Sequence, residues 1–151
     1  MDRQAVVDKL NKILEMELAG VVRYTHYSLM VYGFNRIPLV EWLRSQAQES
    51  LLHAQEAGER LTDMGEHPSL TLGPLLETHN HDIGAILRES MAHERTTLDE
   101  YRALHDLTSG HSIMLEEYSR SMILQEERHL GEVDKMLRSP GDIAAFDPTV
   151  S

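Results

Sequence analysis

A chain of 151 residues is long enough for one domain with a proper core and too short for two comfortable ones. Its formal net charge of −11 leaves no basic patch to displace counterions from phosphates, which argues against nucleic acid as a partner and for attraction to cations. The absence of cysteine removes disulfides, thiolate zinc sites, iron–sulfur clusters and thiol catalysis together, and it fits a cytoplasmic location.

Met1 to Ala5 carry no apolar signal core, and no stretch reaches the roughly 18 consecutive apolar residues of a membrane helix, so neither leader nor membrane span is expected. Leu, Met, Ala, Glu and Arg are abundant, aromatics are scarce and no run alternates as a strand, which is a helical composition. Val6, Leu10, Ile13, Leu14, Leu18, Val21, Tyr24, Ser28 and Val31 trace one helix face from about residue 3 to 33, with Glu17 inside it and Gly33 ending it. Pro38 suits the first turn of a second helix that runs to about Met64 and Gly65. The short connection makes these two an antiparallel hairpin. The second helix carries a seam of Leu43, Ala47, Ser50, Ala54, Ala57 and Leu61, with His53 beside it.

From Gly65 to about Asn80 the chain is too irregular for a long helix and too apolar for a disordered linker, and it reads as an ordered crossover strapped along a bundle. His79 and His81 at its end read as solvent-facing histidines in preference to a second metal site. A third helix is expected over roughly residues 81 to 108, with Ile83, Leu87, Ser90, Glu94, Leu98, Tyr101 and Leu104 inward. Thr108-Ser109-Gly110 breaks it, and a fourth helix runs from about 111 to 138 before Ser139-Pro140-Gly141. The fold expected is all-α: an antiparallel four-helix bundle of two hairpins joined by a long crossover over residues 1–138. Residues 139–151 are expected to form a short extended tail.

The chemistry concentrates in Glu126-Glu127-Arg128-His129 of the fourth helix. Glu126 and His129 are three residues apart, so on a helix they project from one face and can close on one metal ion. They also lie within an apolar stripe of Leu115, Met122, Val133 and Met136, where a carboxylate needs a partner. The two hairpins repeat this pattern. Glu17 precedes His53 by 36 residues, Glu94 precedes His129 by 35, and the two glutamates are 77 apart. Each hairpin therefore offers a carboxylate from its first helix and an imidazole from its second, the set with which a bundle holds two metals when carboxylates bridge them. Such ligands suit iron, with manganese or zinc accepting the same set. The repeat also demands a glutamate three residues before His53, and position 50 is serine. Glu49 lies four residues before His53, turned about 100° from the missing position. Either it swings in and rebuilds the bridge, or the site has one bridging carboxylate and binds one metal weakly.

From about residue 4 to 138 the chain resembles the bacterioferritins of the ferritin-like superfamily. The residues that carry the resemblance are Asn11-Lys12-Ile13-Leu14 leading to Glu17, Arg23-Tyr24, His53-Ala54, Glu94, and Glu126-Glu127-Arg128-His129. The resemblance implies that Glu17, Glu94 and Glu126 are carboxylate ligands of a di-iron ferroxidase centre, that His53 and His129 are its imidazole ligands, and that Tyr24 stands near it. Three positions depart from the family pattern. Ser50 replaces a bridging glutamate, which puts ferroxidase turnover in question. Leu51 stands where haem-binding members place a methionine, so no haem is expected. Asp142 to Ser151 offer no counterpart to the family's short fifth helix, which leaves a dimer, a larger shell or a mixed assembly with a paralogous subunit open. Three functions follow: Fe(II) oxidation with dioxygen or peroxide for storage or detoxification, a catalytically impaired structural subunit, or a di-iron peroxidase or oxygenase. A coiled-coil scaffold would explain the seams but not the inward ligands.

Overall fold

The computed structural model describes residues 1–76 and 78–143, so the expected tail lies outside the described residues beyond 143. Four helices follow one another: α1 (Arg3–Met30), α2 (Arg36–Asp63), α3 (Ile83–Thr108) and α4 (Ile113–Leu137). No strand occurs among the described residues. Asp2 caps α1 by accepting from the Ala5 amide at 3.1 Å, and Ser112 does the same for α4 from Leu115 at 3.3 Å. The α2 terminus is a Schellman turn. Gly65 adopts φ +76°, its amide donates to Thr62 and the Glu66 amide donates to Leu61, which satisfies two terminal carbonyls.

α1 stops three residues before the expected Gly33 for a tertiary reason. The Arg36 guanidinium donates to the Val31 carbonyl at 2.5 Å and to that of Ser28 at 3.3 Å, satisfying helix-end acceptors from the start of α2. Val31 can then turn extended and remain buried. Within residues 2–86, α1 and α2 are antiparallel, with Ser28 opposite Arg44 and Glu17 opposite His53. Tyr24, Tyr27, Val31, Val40, Leu43 and Ala47 form a buried cluster with Ile86 of α3, and Tyr24 meets Tyr27 edge-on at 6.2 Å between centroids. Every seam residue expected on α2, from Leu43 to Leu61, is buried.

The crossover is the strap expected from its composition, and it lies on α1. Asn11 Oδ1 accepts from the Ser69 amide at 2.9 Å, the Glu15 carbonyl accepts from the Gly73 amide at 2.9 Å, and Arg23 donates twice to the Pro74 carbonyl. Gly73 is required there. A Cβ on it would stand 2.9 Å from the Glu15 carbonyl oxygen and 3.2 Å from the Met16 Cα, both backbone atoms that cannot step aside. His79 and His81 are exposed as expected but engaged: the His81 ring stacks on Tyr32 at 4.5 Å, and its Nδ1 lies 2.8 Å from the Met30 carbonyl.

Within residues 87–143, α3 and α4 are antiparallel, with Glu94 opposite His129, Arg102 opposite Glu127 and His105 opposite Ser119. Leu87, Ser90, Glu94, Leu98, Tyr101 and Leu104 are buried as expected, whereas Ile83 is only half-buried. On α4 Leu115, Met122, Glu126 and Val133 of the expected stripe are buried and His129 is only partly buried, but Met136 is exposed because the stripe outruns the buried part of the helix.

Candidate metal centre

On the first hairpin, Glu17 is 3 % exposed and His53 8 %, and the Nδ1 of His53 lies 3.5 Å from a Glu17 carboxylate oxygen. Two periodicities bring them together: Glu17 follows the Leu10–Ile13–Leu14 face of α1, and His53 follows the Leu43–Ala47–Ser50 seam of α2. The second ring nitrogen, Nε2, lies 3.8 Å from Glu49, whose side chain is 47 % exposed. The two nitrogens of an imidazole point in diverging directions, so Glu17 and Glu49 address opposite sides of the ring. Ser50 is buried on the seam, one turn before His53. Tyr24 is buried two turns beyond Glu17 on the same face of α1 and packs into the aromatic cluster.

On the second hairpin, Glu94 is buried on α3 and its carboxylate lies 4.0 Å from Nε2 of His129. Glu126, one turn before His129 on α4, is buried to 3 % exposure. The two hairpins are therefore alike in residue type and unlike in ring orientation, since His53 offers Nδ1 to its glutamate and His129 offers Nε2.

Two ligand atoms that each bond one cation at about 2.0–2.2 Å can be no more than about 4.4 Å apart. Both glutamate–histidine pairs fall inside that limit. Burial of carboxylates among apolar side chains disfavours the ionised form unless a cation or hydrogen-bond donors compensate it, so the donor set fits a cation chemically. Imidazole and carboxylate together suit iron, manganese or zinc.

A buried histidine escaped the sequence reading. His93 precedes Glu94 and is 7 % exposed, and its carbonyl accepts from Thr97 Oγ1 at 3.1 Å. The signal lay in a second row of α3, Ile86, Ser90, His93, Thr97 and Tyr101, which has helical spacing and is buried throughout. The apolar face of α3 is thus broader than a single stripe.

Among the described residues the chain is helical, with one glutamate–histidine pair on each of two successive hairpins. The chain belongs to the ferritin family: the family model of the ferritin-like domain matches residues 7–140. Its fold is the ferritin-like four-helix bundle expected from the sequence. A ferritin-like diiron-carboxylate protein from Bacillus anthracis str. Ames superposes with a TM-score of 0.84 at 21 % identity, covering 91 % of this chain and all of that one. A bacterioferritin-related protein from Bacteroides fragilis, described as a dodecameric thioferritin, superposes with a TM-score of 0.81 at 20 % identity, covering 91 % of this chain and 86 % of that one. No curated protein matches the chain. No helix among the described residues is long and apolar enough to cross a membrane.

Proposed function

We propose that this protein binds iron inside the bundle and oxidises Fe(II) with dioxygen or peroxide, serving iron storage or detoxification. The observation that carries the reading is the buried pair of Glu17 and His53 on the first hairpin, with a carboxylate oxygen 3.5 Å from the imidazole Nδ1. Glu94 and His129 extend this set, with Glu17 and Glu94 as terminal carboxylates and Glu126 as the bridge. The diiron-carboxylate description of the Bacillus anthracis protein lends the iron assignment support.

Each residue has a separate task. The carboxylates offset the charge of the ferrous substrate, and the imidazoles must be neutral at the ligating nitrogen. Glu49 suits a supporting role: a carboxylate near Nε2 favours the tautomer that leaves Nδ1 of His53 to bind. That role does not restore the bridge missing at Ser50. Tyr24 is placed near the centre only by the family resemblance. Iron supplies the electrons that the oxidant takes up. Residues 1–138 form the bundle in this reading, and the chain works as a homo-oligomer, a dimer or a shell, in keeping with the dodecameric Bacteroides fragilis protein.

Ser50 favours a second reading, a catalytically impaired subunit that builds a mixed assembly with an intact paralogue. An anaerobic Fe(II) titration of metal-free protein, followed by air or peroxide while ferric oxo absorbance is recorded, separates the two. Saturation near two irons per chain with rapid oxidation supports the ferroxidase. One iron or none, with oxidation no faster than in buffer, assigns the structural role.

A further inference from the structure

Where the crossover straps onto α1, Val22, Arg23, His26 and Tyr27 face Leu75, Leu76 and His79 across a pocket of about 390 Å³. That volume suits a small organic ligand. Val22, Leu75 and Leu76 are exposed to between 41 % and 50 %, so the apolar wall is open to solvent. Arg23 holds its guanidinium in place by donating from Nε and one Nη to the Pro74 carbonyl at 3.0 and 2.8 Å, which leaves its remaining N–H donors for another acceptor. The His26 and His79 rings meet edge-on at 5.5 Å. His79 takes φ +50°, a conformation uncommon outside glycine, to stand there. No carboxylate lines this pocket among the described residues, although the chain as a whole carries a net charge of −11. The Arg23 guanidinium with two imidazoles beside it, set against leucines, suits an anion with an apolar body.

We propose that this pocket binds an organic carboxylate carrying an apolar tail, with Arg23, His26 and His79 holding the carboxylate and Val22, Leu75 and Leu76 the tail. None of its lining residues is a candidate metal ligand, so the test is run without iron. The test is calorimetry of the full chain with octanoate, octanol and inorganic phosphate, alongside NMR of the histidine ring protons. Octanoate should saturate at one per chain and shift the His26 and His79 resonances, while octanol and phosphate each bind at least about tenfold more weakly, the loss expected when a charge-assisted hydrogen bond or the apolar contact is missing. His26→Gln and His79→Asn should each weaken octanoate several-fold with helicity unchanged. Equal binding of octanol would reduce the pocket to an apolar patch, and equal binding of phosphate would make it an oxyanion site without use for the leucines. Either result, or octanoate binding that leaves both histidine resonances in place, overturns the proposal. The histidine shifts are read on the unmodified protein, so failure of a variant to fold leaves the test decisive.

Discussion

Glu17→Gln isolates the charge of one candidate ligand from its packing. Glutamine keeps the volume of a side chain that is 3 % exposed and keeps an oxygen near His53 Nδ1, now 3.5 Å from the carboxylate. Melting of the metal-free protein should therefore change little. Metal-dependent stabilisation should change greatly. At an ion concentration one hundred times the dissociation constant, binding to the folded state alone adds about 2.7 kcal/mol. For a chain of this size, at about 2–4 °C per kcal/mol, that raises the melting temperature by roughly 5–11 °C. Loss even of a group that only supports a metal ligand weakens affinity by about 10–100-fold. A hundredfold loss brings the same ion concentration down to the new dissociation constant, where stabilisation is about 0.4 kcal/mol and the shift about 1–2 °C. Anaerobic calorimetric melts with and without Fe(II), or Mn(II) as a redox-stable surrogate, read both quantities. A variant that keeps the full metal-dependent shift would remove Glu17 from the ligand set.

Three further outcomes follow from single contacts. Ser50→Glu places a carboxylate one turn before His53 and should raise both the iron stoichiometry and the initial oxidation rate in a stopped-flow assay; an unchanged rate would mean that the missing bridge does not limit turnover. Gly73→Ala drives a Cβ into the Glu15 backbone, and overpacking of about 1–3 kcal/mol outweighs the gain of about 0.4–1 kcal/mol from stiffening the unfolded chain, so the crossover should become more sensitive to proteolysis. Equal cleavage rates would show that the strap does not depend on this approach. Glu116, before the second turn of α4, accepts from the Gly110 amide at 3.1 Å, and this hydrogen bond, with the nearby Arg120, holds its carboxyl below the ordinary glutamate range. Its contribution is present above the unfolded-state value of about 4.3 and is lost as the pH falls through the lower folded-state value. An NMR titration should find Glu116 depressed, and Glu116→Gln should flatten the acid limb of the melting profile.

The sequence alone determined the helices, their turns and the residue types of the candidate site. Apolar spacing fixes the angle at which a side chain leaves its own helix, and Glu17, His53, Glu94 and Glu126 were legible because each interrupts an otherwise apolar row and is buried where that row is buried. Gly65 and Gly110, at φ +76° and +77°, mark helix ends that local chemistry sets. Tertiary structure decided what depends on a neighbour. Periodicity could not tell that Arg36 would terminate α1 early, that Met136 would lie beyond the buried part of its helix, or that a second row carrying His93 would be covered. Nor could it choose which nitrogen of His53 faces Glu17 and which faces Glu49, because a ring's rotation is set by the groups around it and not by its position in the chain. The same holds for the pocket beside Arg23, His26 and His79, whose residues are brought together only because a strap 51 residues further on hydrogen-bonds to α1.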